Sequence, residues 1–453
     1  MAAEVQLTEE RYEFKPGTRK TLLYILVAGV VLFATGVIIS MNAGSGEHGG
    51  GHESSVQVEK MTASIAQHEE AAESEGEGEH HGSPTWLKRI YTTLWMNNVF
   101  FAGLGIIGLF FVAIQFAAQA GWSAGMKRIP LAMGSWIPIA GVLMLVLYFL
   151  ASGDLFHWTH ADVYSGPELD KILLKKAPFF YWPLEAGSFP FFFIFRMVIF
   201  FGLWYLFFMW IKKEMMEEDI DGDTKHWLKS RILSAWFLVF FAVSSSVAAW
   251  DWIMSIDTHW FSTMFGWYMF ASWWVSGLAL ITFIVVKLKD AGYLKIVNAN
   301  HLHDLGKFIF AFSIFWTYIW FSQFLLIYYA NIPEETVYFV ERMQNSPYSW
   351  IFYANLILNF VLPFLLLMTR DAKRHMSMLK VVCPIVIVGH WFDFYNMVTP
   401  GVMQHDGGVG FVEIGATLIF LAVFLWVTLT SLSKMPLFGK NHPLLQESLH
   451  HHI

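Results

Sequence analysis

Long apolar runs separated by short polar ones dominate this chain. They centre on residues 20–41, 97–119, 131–151, 190–211, 232–253, 264–286, 307–329, 351–368, 379–397 and 411–430. Each approaches or exceeds the roughly 20 residues that carry a helix across a bilayer at about 1.5 Å per residue. The pattern predicts an all-α polytopic membrane protein with ten transmembrane helices, the eighth and ninth being the shortest. The first run is followed by Asn42 and a Gly-rich tract and has no evident signal-peptidase site, so it reads as an anchor that stays in the mature chain.

Composition agrees. Of 453 residues, 56% are hydrophobic and 14% charged, and the mean hydropathy is +0.47. A soluble domain needs about 25% charged residues for its surface, which excludes a fully soluble protein. The single cysteine, Cys383, excludes an internal disulfide, a cysteine-ligated iron-sulfur cluster and a CxxCH haem attachment. Lys and Arg set the orientation. With the N-terminus inside, twenty-one of them fall in inside segments and seven in outside ones, with Arg196 left within a span. Both termini are therefore expected in the cytoplasm. Lys88 and Arg89, close to the membrane on the outside, fit this orientation least well.

The net charge of -7 is local. Residues 42–83 hold nine Glu against one Lys, so nothing favours nucleic acid as a partner. The Gly, Glu and Ser of this first outside loop cannot bury enough apolar area to offset chain ordering. Its histidines, His48, His52, His68, His80 and His81, read as part of a solvated linker; the spacing defines no rigid metal geometry. The second outside loop, about 152–189, contains FHWTHADVYSG and APFFYWPLEAGSFPFFF. Its aromatics and prolines favour an ordered interfacial structure, either as ordinary belt residues or as a docking lip for another subunit or a quinone tail.

A charge inside the bilayer costs several kcal/mol on lenient scales and needs a partner, water or a function. His390 and Asp393, three residues apart in VVCPIVIVGHWFDFYNMV, share a helix face and form either a proton relay or a packing pair. Glu413 lies one turn inside the tenth span, Arg196 less than halfway through the fourth, and Asp251 near the outer end of the fifth. Which carboxylate Arg196 pairs with stays open from sequence. Asp251, His390, Asp393 and Glu413 are the candidates for a proton path. Arg196, Thr317, Gln323 and Asn359 are candidate supporting groups, with Asn355 beside them. An axial pair for haem b would need two deep histidines, whereas only His390 is clearly deep and His157, His160 and His259 lie outside or at the interface. No catalytic, cofactor-binding or metal-binding residue is therefore expected. A quinone needs only a cleft with a few polar groups and is not excluded.

The segments AAWDWIMSIDTHWFSTMFGWYMFASWW, HLHDLGKFIFAFSIFWTYIWFSQFLLIYYANIPEE and GHWFDFYNMVTP resemble the large membrane subunits of bacterial alternative complex III, relatives of the polysulfide-reductase or NrfD-like membrane subunits. The resemblance covers about residues 90–435. It implies two four-helix bundles, 97–253 and 254–397, flanked by the first helix (1–41, ahead of the acidic periplasmic loop 42–96) and by a tenth helix with a cytoplasmic tail (398–453). The chain looks more like the second, ActF-type subunit than the first, quinol-associated one. That implies a structural subunit of a menaquinol-oxidising respiratory complex in the bacterial inner membrane, without its own redox centre, for which proton conduction is open.

The implied partners are the paralogous NrfD-like subunit, the iron-sulfur and haem c subunits, membrane lipid and a terminal oxidase; haem c and iron-sulfur clusters would belong to partners and menaquinone to the complex. A quinol-binding catalytic membrane subunit is the alternative within this class, and a secondary transporter the alternative outside it. The orientation is checked by fusing reporters to the chain: one at residue 65 should read outside, and those after residue 220 and at the C-terminus inside. An inside signal at residue 65 would overturn it.

Overall fold

The computed structural model describes residues 9–44, 83–165, 169–344 and 346–452. The histidines of the acidic loop, His48 to His81, lie outside the described residues. Ten helices are long and apolar enough to cross a membrane. They are α1 (Pro16–Gly44), α2 (Thr85–Ala117), α3 (Arg128–Leu155), α4 (Phe191–Asp221) and α5 (Thr224–Trp252). The remaining five are α6 (Phe265–Asp290), α7 (Ala299–Ala330), α8 (Ser349–Leu366), α9 (Met376–Met403) and α10 (Phe411–Ser433). Among the described residues there is no strand, only an isolated bridge between Arg11 and Pro436. The chain is an all-α, multi-pass membrane protein.

Helices α2 to α5 pack as one four-helix bundle and α6 to α9 as a second, while α1 lies on α10 at their flank. The last pair approach closely because glycines face them. A Cβ at Gly36 would stand 2.5 Å from Val412 N, and one at Gly415 would strike the backbone of Phe33. Without water to squeeze out, such close backbone packing is what holds helices together in lipid. Between the bundles stands α2, buried from Val99 through Leu109 without a break. It is tied on every side. Trp95 Nε1 donates to Trp252 O of α5 at 2.9 Å, Asn98 Nδ2 to Ala140 O of α3 at 3.1 Å, and Trp273 Nε1 of α6 to Val99 O at 3.2 Å. Asn97 Oδ1 accepts from Trp391 Nε1 of α9 at 3.1 Å and from Thr417 Oγ1 of α10 at 3.0 Å.

Several helices run longer than the apolar pattern predicts, α2 and α9 among them. Helix α2 starts at Thr85 rather than near 97, and Arg89 in its second turn, its side chain 24% exposed, finds a carboxylate inside the protein, Glu413 at 2.7 Å. Helix α9, expected to be among the shortest, spans 28 residues and carries Pro384 and Pro400 within it. The loop at 152–189 is ordered in its described part. Trp158 stacks on Phe180 with ring centroids 4.0 Å apart, and Tyr164 and Tyr181 both donate to Trp158 O at 2.8 Å.

Both ends of the described chain meet on one face, where Leu437 N donates to Glu10 O at 2.8 Å; it is termed the terminal face below. The C-terminal segment laces the two bundles there. Glu447 Oε1 accepts from Gly121 N at 3.2 Å and Ser448 Oγ from Gly125 N at 3.3 Å, ahead of α3. His451 Nε2 sits 2.6 Å from Asp304 Oδ2, and Asn298 and Asn300 donate to His451 O, at the start of α7. Lys127 is buried beneath this segment, its Nζ 3.3 Å from His442 Nε2 and 4.4 Å from the Phe116 ring centre.

Burial pushes the Lys127 ammonium from 10.5 down to about 7, against the pull of Glu218 and Glu447. Unfolded, Lys127 keeps its proton up to its ordinary value; folded, only up to about 7. Over that window the unfolded chain binds the extra proton, so this group makes stability rise with pH, and its cost is fully present below about pH 7. Lys127→Met should therefore raise the thermal midpoint in detergent at pH 7, with the gain narrowing as pH is raised to 9. A constant difference across that range would contradict it.

Candidate functional site

The centre of the second bundle is polar. His390 and Asp393 of α9 are fully buried, as are their neighbours Tyr268 and Ser272 on α6, Trp316 on α7, and Asn355 and Asn359 on α8. Three donors converge on the Asp393 carboxylate. The Tyr268 hydroxyl and Asn355 Nδ2, the latter at 2.8 Å, bond Oδ1, and Trp316 Nε1 bonds Oδ2 at 2.8 Å. All three are neutral. His390 Nδ1 lies 3.0 Å from Ser272 Oγ and 3.9 Å from Asp393 Oδ2, so the two residues expected to pair directly stand within reach of each other's charge without a direct hydrogen bond. The imidazole packs edge-on against Trp316, and its Nε2 has no hydrogen-bond partner among the described residues.

Local chain geometry places these groups. Helix α8 opens into a π turn over Ile357–Val361, a feature often found at functional sites. It carries Asn359, whose Nδ2 donates to Asn355 Oδ1 at 2.5 Å. Gly389 lets α9 close onto this turn, since any Cβ there would collide with Asn359 Oδ1. The side-chain relay thus runs from Asn359 through Asn355 to Asp393 and Tyr268.

Away from the terminal face the polarity continues. A cavity of about 10 Å³, near the room one water needs, is lined by Tyr268, Gln323, Tyr338, Arg342, Asn355 and Asn396. Gln323 also accepts from Ser262 Oγ at 3.1 Å. Arg342 belongs to the short helix Pro333–Gln344. Its guanidinium donates to Asn396 O and Tyr338 O at 2.8 Å and to Asp257 Oδ2 at 3.0 Å, and Asp257 is half-buried. Against burial, which pulls it down, the neighbouring Tyr338, Asp257 and Glu341 hold the Arg342 guanidinium above its ordinary value, so it stays a fixed cation. Toward the terminal face the residues below His390 on α9 are Val386, Cys383, Val382 and Leu379, all buried and apolar.

The other two carboxylates lie elsewhere. Asp251 takes a bidentate pair from Arg196, both bonds 2.7 Å, and the guanidinium is stacked within 4.3 Å of the Phe179 and Phe192 ring centres instead of reaching outward. Glu413 takes a second bidentate pair, from Arg89 at 2.7 and 2.8 Å, and caps its own helix by accepting from Gly410 N at 2.7 Å. Thr317 donates to Ser313 O of its own helix at 2.8 Å and does not touch the centre. The four candidates for a proton path therefore fall in three places, of which only the His390 and Asp393 site is free of a salt bridge to arginine.

Sequence reasoning missed Tyr268, Ser272, Trp316, Arg342 and Asn396. The spacing of Tyr268, Ser272 and Ser276, one turn apart in an otherwise apolar span, was the available signal. A separate cluster, Glu214, Glu217 and His226, has ligand atoms within 4.8 Å of one another at the α4–α5 turn. His226 there engages Glu214 through Nδ1 at 2.6 Å and Asp221 through Nε2 at 2.9 Å, with lysines 213 and 229 on the glutamates. Both ring nitrogens are thus held by carboxylates, an ion-pair network that ties two helix ends. No protein-family model and no curated protein matches the chain.

The Arg196–Asp251 pair generates a test. Removing one partner leaves a buried uncompensated charge and should cost about 3–5 kcal/mol, whereas replacing both with apolar groups restores most of it. In detergent, Asp251→Ala should lower the thermal midpoint far more than Arg196→Met combined with Asp251→Leu. Equal losses in the two would show that the pair is not held as described.

Proposed function

We propose that this chain is the non-redox membrane subunit of a quinol-oxidising respiratory complex of the alternative complex III kind, and that His390 and Asp393 form a proton-holding site within it. The observation that carries the reading is a fully buried carboxylate and imidazole, 3.9 Å apart, whose hydrogen-bond neighbours are all neutral. The resemblance of the AAWDWIMSIDTHWF and GHWFDFYNMVTP segments to that family supports the complex.

The chemistry follows from the donors. A carboxylate clamped by an arginine gives up its charge only by breaking the clamp, as at Asp251 and Glu413. Asp393 can take a proton by releasing one neutral donor, and Tyr268 has a hydroxyl proton to exchange in the same contact. The small cavity, with room for one water, lies among Tyr268, Asn396 and Arg342, and the fixed Arg342 cation, paired with Asp257, discourages a second proton from entering. The polar route runs from Asp393 away from the terminal face; below His390 helix α9 is apolar, and the buried polar side chains on that side are hydroxyls such as Ser276 of α6 and Ser313 of α7. In the orientation expected from Lys and Arg the route opens to the outside, and both termini lie in the cytoplasm of a bacterial inner membrane. Iron-sulfur and haem c subunits, the paralogous membrane subunit and a terminal oxidase are the partners this reading requires.

In vesicles containing the assembled complex, Asp393→Asn should cut coupled proton movement by about tenfold or more while subunit abundance and the partners' haem c content are unchanged. Proton release and subunit abundance are measured in the same preparation. Unaltered proton stoichiometry in a well-assembled variant rejects the site. Consistent isolation of the chain without haem c or iron-sulfur proteins rejects the complex and favours a transporter.

A further inference from the structure

A second cavity, of about 970 Å³, lies between the α1–α10 pair and the bundles. Helix α1 touches chiefly α10, and the pair leans on α2 and the start of α3, which leaves a groove facing α6 and α9. Leu104, Ile284, Ile387 and Leu421 stand for its four bundle-side and α10 walls. It is lined on α10 from Leu429 to Ile414, a length of about 22 Å at the helical rise. That exceeds half of the roughly 30 Å hydrocarbon core.

Charge is confined to one end. Lys15, just ahead of α1, and Lys287, in the last turn of α6, line the groove at the terminal face together with Glu13 and Thr18. Lys15 and Lys287 are exposed, and Lys15 lies over the Tyr293 ring at 5.9 Å. The deep end offers a ligand nothing polar to bind. Trp391 Nε1 and Thr417 Oγ1 are both committed to Asn97 Oδ1, so a quinone ring would find its carbonyls without donors. An elongated apolar ligand with an anionic head at the membrane surface fits both ends.

We infer that the groove between α1–α10 and the bundles holds one anionic phospholipid, its phosphate between Lys15 and Lys287 and an acyl chain extended along α10. The inference is independent of the proton-holding site. Juxtamembrane lysines are each worth about a fivefold gain for anionic lipid, so the pair should confer a preference of about tenfold or more.

Native mass spectrometry of the full chain, titrated with phosphatidylglycerol or with phosphatidylcholine of the same acyl chains, reads this directly. One phosphatidylglycerol should be retained under collisional activation about tenfold more strongly than phosphatidylcholine. Lys15→Glu with Lys287→Glu, at exposed positions that do not disturb packing, should abolish that preference. Ile387→Trp with Leu421→Trp, at half-buried wall positions, should fill the groove and lower retention of both lipids. Equal retention of the two lipids by the unaltered chain, or undiminished phosphatidylglycerol retention in both variants, overturns the assignment. So does displacement of the bound phosphatidylglycerol by added menaquinone, which would make the groove an isoprenoid site.

Discussion

Inside a bilayer a polar group is satisfied by the protein or not at all, and helix α2 is where this constraint bears most of the architecture. It has little lipid-facing surface to spend on apolar side chains, so its carbonyls and amides become attachment points. Indole N–H groups of α6 and α9, the Thr417 hydroxyl of α10, an amide to α3, and the indole of Trp95 reaching α5 fix five neighbours around one axis. At the end away from the termini, Arg89–Glu413 fastens α2 to α10 and Arg196–Asp251 fastens α4 to α5. These contacts hold the second bundle in register with the first and keep the His390 region at a set depth.

Two kinds of buried charge coexist in this frame, and they differ in what a proton would do to them. The Arg89–Glu413 and Arg196–Asp251 pairs are matched, bidentate and surrounded by aromatics or backbone donors, so protonating either carboxylate leaves a guanidinium stranded. At Asp393 the surroundings are a phenol, an indole and an amide, none of which carries charge. A change of protonation there alters the hydrogen bonds of one residue and leaves the helix contacts in place. That contrast, more than burial alone, separates a site suited to exchange from residues suited to fastening.

The ten crossings were legible because apolar run length is a nearly sufficient signal in a membrane protein. Their ends were less so. Lys88 and Arg89 read as outside-loop residues, since nothing local reveals that Glu413, more than three hundred positions away, neutralises Arg89 within a helix. For the site, His390, Asp393, Asn355, Asn359 and Gln323 stood out as polar residues in apolar runs. Tyr268 and Trp316 did not, because an aromatic in a span looks the same whether it faces lipid or donates to a carboxylate. Arg342 was hidden in a loop whose short helix tucks it inward over Tyr338.

The pairing of α1 with α10 has a bearing on how the molecule is made. The face of α1 around Gly29 and Gly36 has its complement only in Gly415 and its neighbours, which follow eight other crossings in synthesis order. During insertion α1 must wait in the bilayer with that face turned to lipid, at no great cost because the face is apolar and small. A chain halted before α10 would therefore carry a bare glycine seam and, with the C-terminal segment missing, two bundles unlaced at the terminal face. Completion of the helix set and closure of the fold therefore coincide at the α1–α10 seam.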